Sequence, residues 1–150
     1  MQTHFLETSL RCIKNPIFEL EIILNLEFMI KSMKKISKFL KSIYNEGGDS
    51  NFFGIYKDPY YIQVNGGKKA TKVYLDVVSN AHLEENEQLS TEQIEKLEEM
   101  GFLEEPRSNN LSKEFDFSEQ KIPELTEFIE KVLEIYGIDP YKAEFEIELS

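Results

Sequence analysis

The chain has 150 residues, of which 41% are hydrophobic and 30% charged, and its formal net charge is −11. This length and composition are typical of one globular domain that buries a core without a disulfide or a metal. The charge is −14 over residues 81–150 and +3 over residues 1–80, which argues against nucleic-acid binding, since that needs clustered Lys and Arg. Because Cys12 is the single cysteine, no intrachain disulfide can form, and we expect a cytoplasmic protein.

The first 28 residues carry the weakest pattern in the chain. Between Phe18 and Ile22, apolar residues alternate with glutamates, which favours a short strand. The surrounding apolar stretch is too short and too charged for a bilayer span or a secretion signal. We interpret residues 1–28 as an N-terminal extension and residues 29–150 as a single domain.

A helix is predicted over residues 30–44. Its apolar residues recur at steps of three and four, and five lysines occupy the other side. Gly47-Gly48 follows, as glycine commonly does beyond the end of a helix. We interpret this segment as a surface helix whose apolar face packs in the core. A membrane-surface adaptor that uses the lysine side is an alternative.

Three strands are predicted next, over residues 52–56, 60–64 and 73–78, because these segments are rich in aromatic and β-branched residues. Lys57-Asp58-Pro59 is typical of a turn. Asn65-Gly66-Gly67 is typical of a tight hairpin, since Asn-Gly favours positive φ angles. Such short connections favour an antiparallel meander.

A second helix is predicted after the polar corner at Ser79-Asn80-Ala81. Ser90 and Gln93 have the spacing of a capping box, so we expect Ser90 to be the N-cap. Gly101 provides the stop signal. Phe102-Leu103 is expected to return to the core.

The rest of the chain predicts a strand, a helix and a final edge strand. The strand covers residues 111–117, with Lys113 as a misfit on its apolar side. The helix opens at Pro123 and ends at Gly137, and the edge strand covers residues 143–149. The fold class is therefore α+β, with an antiparallel sheet, made of a three-strand meander plus later strands, packed against helices on one face.

Catalytic patterns are missing from the sequence. His4 and His82 lie far apart without a cysteine nearby, so we predict no metal and no cofactor. Gly67-Lys68-Lys69 does not complete a phosphate-binding loop. The paired glutamates are expected to be solvated, whereas paired catalytic carboxylates need burial. We therefore predict that the protein is not an enzyme, with a small enzyme of unrecognised site as the alternative.

Aromatic residues crowd the predicted meander: Phe52, Phe53, Tyr56, Tyr60, Tyr61 and Tyr74. Because a strand alternates its faces, these rings cannot all point into one core. Tyrosine is enriched at interfaces, where it offers a large area and a polar tip. We single out Tyr56, Tyr61 and Tyr74 as candidate partner-binding residues, and a second layer of core is the equally weighted alternative.

One series of residues runs from Tyr60 to Pro140. It comprises Tyr61-Ile62-Gln63, the segment from Tyr74 to Asn80, Leu83, Leu89-Ser90, Gln93, Leu97, Met100-Gly101-Phe102, Pro106, Asn110 and the helix to Tyr136-Gly137. This series resembles the bacterial YbjN-like proteins, part of the type III secretion chaperone-like (TY-Chap) group, although Met100-Gly101-Phe102 stands where Leu-Gly-Trp is common. The resemblance implies a secretion-chaperone-like fold, a peptide or protein client, a possible homodimer, and no catalytic residues, metal or cofactor.

The sequence thus predicts a cytoplasmic, non-catalytic module that binds a peptide or protein client. Strand addition, in which backbone hydrogen bonds hold an extended segment, is one expected mode. We expect no nucleic-acid partner and no membrane partner.

Overall fold

The computed structural model describes residues 16–150, which divide into two compact units, residues 16–32 and residues 33–150. The first helix, α1, spans Pro16–Asn45. The strand predicted between Phe18 and Ile22 is therefore wrong. The apolar-polar alternation covers only five residues, whereas helix-favouring Leu, Met and Glu follow for many turns, and proline is tolerated in the first turn. Within the described residues, no helix has the length and apolar character of a bilayer span.

The elements that follow α1 confirm the α+β class. They are β1 (Asn51–Lys57), β2 (Tyr60–Gly66), β3 (Lys72–Val77), α2 (Thr91–Glu99), β4 (Leu103–Glu104), β5 (Leu111–Asp116), α3 (Ile122–Tyr136) and β6 (Glu144–Glu148). The strands form one antiparallel sheet in the order β4-β5-β3-β2-β1-β6. The three-strand meander β1-β2-β3 is present as predicted, and the two-residue strand β4 was missed.

The core of residues 33–150 lies on one face of this sheet. Alternate strand residues are buried there because successive side chains of a strand point to opposite faces. The helices add residues at three- and four-residue spacing. The fully buried members of this core include Ile36, Leu40, Ile43, Phe53, Ile55, Ile62, Val64, Val73, Leu75, Val77, Leu97, Ile129 and Val132.

The corner after β3 holds two loops with side-chain hydrogen bonds. The amide of Asn80 pairs with the backbone of Leu89: its Nδ2 donates to the carbonyl oxygen (3.1 Å), and its Oδ1 accepts from the N–H (2.7 Å). The hydroxyl of Ser79 donates to the carbonyl oxygen of Asn109. The corner therefore holds the loop before α2 and the loop before β5 against the end of β3.

The capping box of α2 is confirmed. The N–H of Gln93 donates to Ser90 Oγ (3.2 Å), and the N–H of Ser90 donates to Gln93 Oε1 (2.8 Å). The Nε2 of Gln93 also donates to the carbonyl oxygen of Ile135 (2.7 Å). One side chain thus caps α2 and joins it to α3. Gly101, with φ of +96°, follows the helix end as predicted.

Two local expectations differ from the structure. Asn65 and Gly66 still belong to β2, and the turn lies beyond them. A Cβ on Gly66 would meet methyl groups of Val73 and Ile43 at 3.2 and 3.3 Å, so this glycine serves close packing of the strand rather than a turn. Only Phe102 of the pair Phe102-Leu103 returns to the core, because Leu103 is 75% exposed in β4.

Lys113, the predicted misfit of β5, is accommodated by aromatic rings. Its Nζ lies 5.1 Å from the ring centre of Phe115 and 5.6 Å from that of Phe128. A cation at this distance from a ring face is attracted by the ring quadrupole. The charge of Lys113 is therefore stabilised although the residue lies on the core side of β5.

Asn51, the first residue of β1, is buried beside the C-terminal end of α1. Its side chain joins three backbone segments. Its Nδ2 donates to the carbonyl oxygens of Ile43 (2.8 Å) and Glu46 (2.7 Å). Its Oδ1 accepts from the N–H groups of Gly48 (3.2 Å) and Ser150 (3.1 Å). These four bonds satisfy the amide completely. They also supply donors to carbonyls that a helix C-terminus leaves unpaired.

Replacing Asn51 by Ala is expected to lower the free energy of unfolding by about 2–4 kcal/mol. The change removes four hydrogen bonds and leaves buried backbone groups without partners. Urea denaturation followed by circular dichroism measures the loss. Asn45→Ala is the matched control, because Asn45 makes one exposed bond to the Lys41 carbonyl, and it should change stability by less than about 0.5 kcal/mol. Equal losses in the two variants would contradict the role of Asn51.

The buried phenol of Tyr136 predicts a loss of stability at alkaline pH. Its hydroxyl donates to the carbonyl oxygen of Val78, and burial raises its pKa well above the ordinary value. The folded protein keeps this proton above about pH 10, where the unfolded chain has released it. Its contribution is therefore complete below that pH and falls as the pH rises.

Tyr136→Phe should remove this pH dependence. Between about pH 9.5 and 11, the unfolding free energy of the wild type should fall more steeply than that of the variant, by up to about 1.4 kcal/mol per pH unit. Urea titrations at several pH values provide the measurement. Parallel profiles would show that Tyr136 does not hold its proton as the structure indicates.

Candidate partner-binding face of the sheet

The face of the sheet opposite the core is polar and aromatic, and we call it the outer face. Its residues occupy the alternate positions of five strands: Phe52, Gly54, Tyr56, Tyr61, Gln63, Asn65, Lys72, Tyr74, Asp76, Ser112, Glu114, Asp116, Glu144, Glu146 and Glu148. All three tyrosines singled out from the sequence lie here. Strand pleating puts them on one surface although they come from three strands.

Tyr56 and Tyr61 form a cross-strand pair. They are register partners of β1 and β2, and their ring centres are 6.5 Å apart. Gln63 Nε2 donates to the Tyr56 hydroxyl (3.3 Å). A Cβ on Gly54 would overlap that hydroxyl group, so the Tyr56 ring lies across the glycine. The Tyr56 ring covers Gly54, which is why this glycine is buried.

The Tyr61 hydroxyl is anchored by the loop that precedes β5. It donates to Asn110 Oδ1 (3.1 Å) and accepts from Asn110 Nδ2 (2.9 Å). Because Ser79 binds the neighbouring Asn109 carbonyl, the corner after β3 determines where Asn110 stands. The position of this ring therefore depends on hydrogen bonds well outside the strand that carries it.

Tyr74 stands apart from that pair and is 46% exposed. Its hydroxyl donates to Glu114 Oε1 (3.0 Å), and this bond raises the pKa of Tyr74. Beside it, Lys72 Nζ lies 2.6 Å from Asp116 Oδ1 and 3.7 Å from Glu114 Oε2. The hydrogen bond with Lys72 lowers the pKa of Asp116 and raises that of the lysine.

The outer face has a strong negative charge. Lys72 is the basic residue among its fifteen positions, and six carry carboxylates: Asp76, Glu114, Asp116, Glu144, Glu146 and Glu148. Asn65 Nδ2 donates to Asp76 Oδ2 (3.1 Å). Burial raises the pKa of Tyr56, and the negative field of Glu146 adds to the effect. A ligand of this surface would therefore meet acidic and aromatic groups together.

One end of the outer face opens into a cleft of about 380 Å³. Strand residues form its sheet side, and loop residues complete it. The strand residues are Asn51, Phe52, Asn65, Gly66, Lys72 and Tyr74, and the loop residues are Asp49, Ser50, Gly67 and Ala70. A cleft of this size can hold one or two side chains of a ligand. It extends the candidate surface beyond the strands.

The three predicted tyrosines are on one face but are not one cluster. Register pairs Tyr56 with Tyr61, whereas Tyr74 is paired with Asn65, which lies four residues further along β2 than Tyr61. The sequence analysis missed Gly54, although a glycine inside a strand is a signal of close approach by another group. It also missed the three β6 glutamates, which alternate visibly in the sequence but could not be assigned to a face.

The remaining sequence candidates form no site in the part of the chain that is described. His82 is exposed, with its Nε2 beside the carbonyl oxygen of Ser108. His4 and Cys12 lie outside the described residues. Over residues 16–150, no group of three or more His, Cys, Asp or Glu side chains could hold a metal ion.

The lysine side of α1 borders a second cleft, of about 420 Å³. Lys35 Nζ lies 4.0 Å from the ring centre of Phe145. This lysine is therefore engaged in an intramolecular cation–π contact. The residues that line the cleft are Met33, Lys34, Ser37, Lys38 and Lys41 from α1 and Pro123, Thr126 and Glu127 from α3. A role for these lysines at a membrane surface stays a prediction.

Comparison of the chain with known protein families, with characterised protein sequences and with solved structures found no match. The residues of the outer face are therefore assigned from geometry alone.

Gly54→Ala is expected to displace the Tyr56 ring from the sheet. The new methyl group would overlap the phenol, so the ring should swing toward water. Because burial is the main cause of the raised pKa of Tyr56, that pKa should fall toward the ordinary value. A pH titration of the tyrosine Cζ resonances by NMR, with Tyr56→Phe for assignment, provides the measurement.

Ser112→Ala is the control for this change. Ser112 lies in the same row of the sheet as Gly54. The register pairs Gly54 with Gln63, Gln63 with Asp76, and Asp76 with Ser112. An alanine at position 112 adds no bulk. It should leave the Tyr56 titration unchanged. A Tyr56 pKa that does not move in Gly54→Ala would show that the ring does not lie on the glycine.

Proposed function

We propose that the protein is a non-catalytic binding module that holds an extended, basic segment of a partner protein on the outer face. The observation that carries the proposal is the placement of Tyr56, Tyr61 and Tyr74 on one face of the sheet together with six carboxylates. Tyrosines supply contact area and hydrogen-bonding tips. The carboxylates select lysine and arginine and favour their approach.

The chemistry of the rings supports a basic ligand. Arginine and lysine bind over tyrosine rings through cation–π attraction, and Tyr56 and Tyr61 present a pair of rings beside Glu144 and Glu146. A guanidinium group could stack on a ring and bind a neighbouring carboxylate at once. An acidic ligand would meet six like charges on this face and a single basic residue, Lys72.

The sheet edge supports an extended ligand. β6 pairs with β1 on one side, and its other side is the end of the sheet. A partner strand that adds to this edge would use backbone hydrogen bonds for affinity. Its alternate side chains would lie next to Glu144, Glu146 and Glu148, which again favours Lys and Arg.

The resemblance to the YbjN-like and secretion chaperone-like proteins indicates the same class of function, namely the holding of a client peptide or protein. In the proposed role the protein acts in the cytoplasm and needs no cofactor. Its net charge of −11 would steer a basic client toward it at low ionic strength.

The test is selection from a random library of twelve-residue peptides displayed on phage. Wild-type protein should enrich peptides that are rich in Lys, Arg and aromatic residues. Binding of a synthetic enriched peptide should weaken about tenfold or more in the triple variant Y56A/Y61A/Y74A, because anchoring aromatics each contribute more than about 1 kcal/mol. Affinity should also fall as salt is raised.

Tyr141→Ala is the matched control, because Tyr141 is 47% exposed but lies in the turn before β6, off the outer face. It should bind the peptide as the wild type does. Chemical-shift changes on titration should map to the outer face. Peptides that bind the triple variant as tightly as the wild type, or that shift resonances elsewhere, would contradict the proposal.

A further inference from the structure

The cleft between α1 and α3 has one basic wall. Lys34, Lys38 and Lys41 follow one another at steps of four and three residues, so they form one row along α1 where it borders the cleft. Among the described residues that line the cleft, Glu127 of α3 is the one that carries a carboxylate. The cleft therefore presents three positive charges and one negative charge.

The three lysines are not neutralised within the part of the chain that the structure describes. Over residues 16–150, none of their ammonium groups forms an ion pair with a carboxylate. Residues 28–45 contain five lysines and no acidic residue, although the whole chain has 28 acidic residues. Like charges four positions apart, such as Lys34 and Lys38, destabilise a helix. An anion bound among the lysines would relieve this repulsion.

The deeper part of the cleft is apolar. Met33 of α1 and Pro123 in the first turn of α3 both line it, and lysine side chains add their aliphatic stems. Thr126 also lines it, but its hydroxyl donates to the carbonyl oxygen of Ile122 within α3 (2.8 Å). Thr126 is buried and Met33 half-buried, whereas the three lysines are exposed. A ligand would therefore meet hydrocarbon inside the cleft and ammonium groups at its mouth.

The size and shape of the cleft favour a single small molecule. Its volume is about 420 Å³, and small-molecule sites span about 300–1,000 Å³, with mostly apolar linings and a few polar groups that fix orientation. A membrane-binding helix places its apolar side in the lipid, whereas Met33 lines a concavity shared with α3. Anionic lipids would also repel Glu127.

We propose that this cleft binds a small amphipathic anion. Its carboxylate or phosphate head pairs with Lys34, Lys38 and Lys41, and its apolar body contacts Met33 and Pro123. The cleft lies between helices that pack on the core face of the sheet, whereas the proposed partner-binding surface is the outer face. Either proposal can therefore fail without the other.

Octyl phosphate, inorganic phosphate and octanol are the probes, and NMR chemical shifts of the full chain are the measurement. Octyl phosphate, kept below the concentration at which it forms micelles, should shift the resonances of Met33, Ser37 and Thr126. Inorganic phosphate lacks the apolar body and octanol lacks the charge, so each should bind about tenfold more weakly or worse. Equal binding of either one would contradict the proposed recognition of head and body together.

Two variants separate the charged and apolar parts of the site. K34Q/K38Q/K41Q should weaken the binding of octyl phosphate about tenfold or more, because the charge-assisted hydrogen bonds are lost. Ser37→Trp keeps the lysines but places a large ring in the cleft, and it should abolish binding.

K57Q/K68Q/K142Q is the matched control. It makes the same change in net charge at three exposed lysines outside the cleft, so it should bind octyl phosphate as the wild type does. Wild-type shifts that bypass the lining residues, or full binding by either cleft variant, would overturn the proposal. Binding of phosphatidylglycerol vesicles without binding of octyl phosphate would also overturn it, and would assign the lysines to a membrane surface.

Discussion

The pairing of the Asn80 side chain with the backbone of Leu89 is the interaction on which much of the arrangement depends. It closes the loop between β3 and α2, so the capping box at Ser90 begins α2 at a defined place. Ser79, one residue earlier, binds the loop before β5, and that loop delivers Asn110 to Tyr61. One polar corner therefore positions a helix and an aromatic side chain of the outer face. Because an amide can donate and accept at once, no apolar residue could replace Asn80 in this role.

The residues that suggested a family resemblance are largely those of this scaffold. Ser79, Asn80, Ser90, Gln93 and Asn110 all make side-chain hydrogen bonds that hold loops or helix ends. Such bonds are needed whatever the protein binds, since buried backbone groups must find partners. A pattern built from them describes how the chain is held together, and the surface that meets a ligand can vary independently of it.

Elements with long periodic patterns could be predicted from the sequence, and features set by distant contacts could not. The capping box and the glycine stops are local signals, which is why α2 and the end of α3 were located well. The helix before Met29 was missed because its apolar residues surround the axis, so periodicity gives no single face. The tyrosines of the outer face could be predicted, because strand alternation requires some of the aromatic residues to point away from the core. The charges around them could not, because they depend on the order of the strands in the sheet. Asn51 gave no signal, because its partners lie in the last turn of α1, in the loop that follows α1 and after β6.

The position of β6 has a consequence for biosynthesis. The strand β6 pairs with β1, the first strand of the sheet, although residues 58–143 lie between them in the sequence. Until residues 144–148 have left the ribosome, β1 has one unpaired edge, and Phe53 and Ile55 lack the cover of Phe145 and Ile147. The meander β1-β2-β3 can pair as translation proceeds, whereas the pairing of β1 with β6 is a later, long-range step. The nascent chain therefore depends on protection of the open edge of β1 until that step.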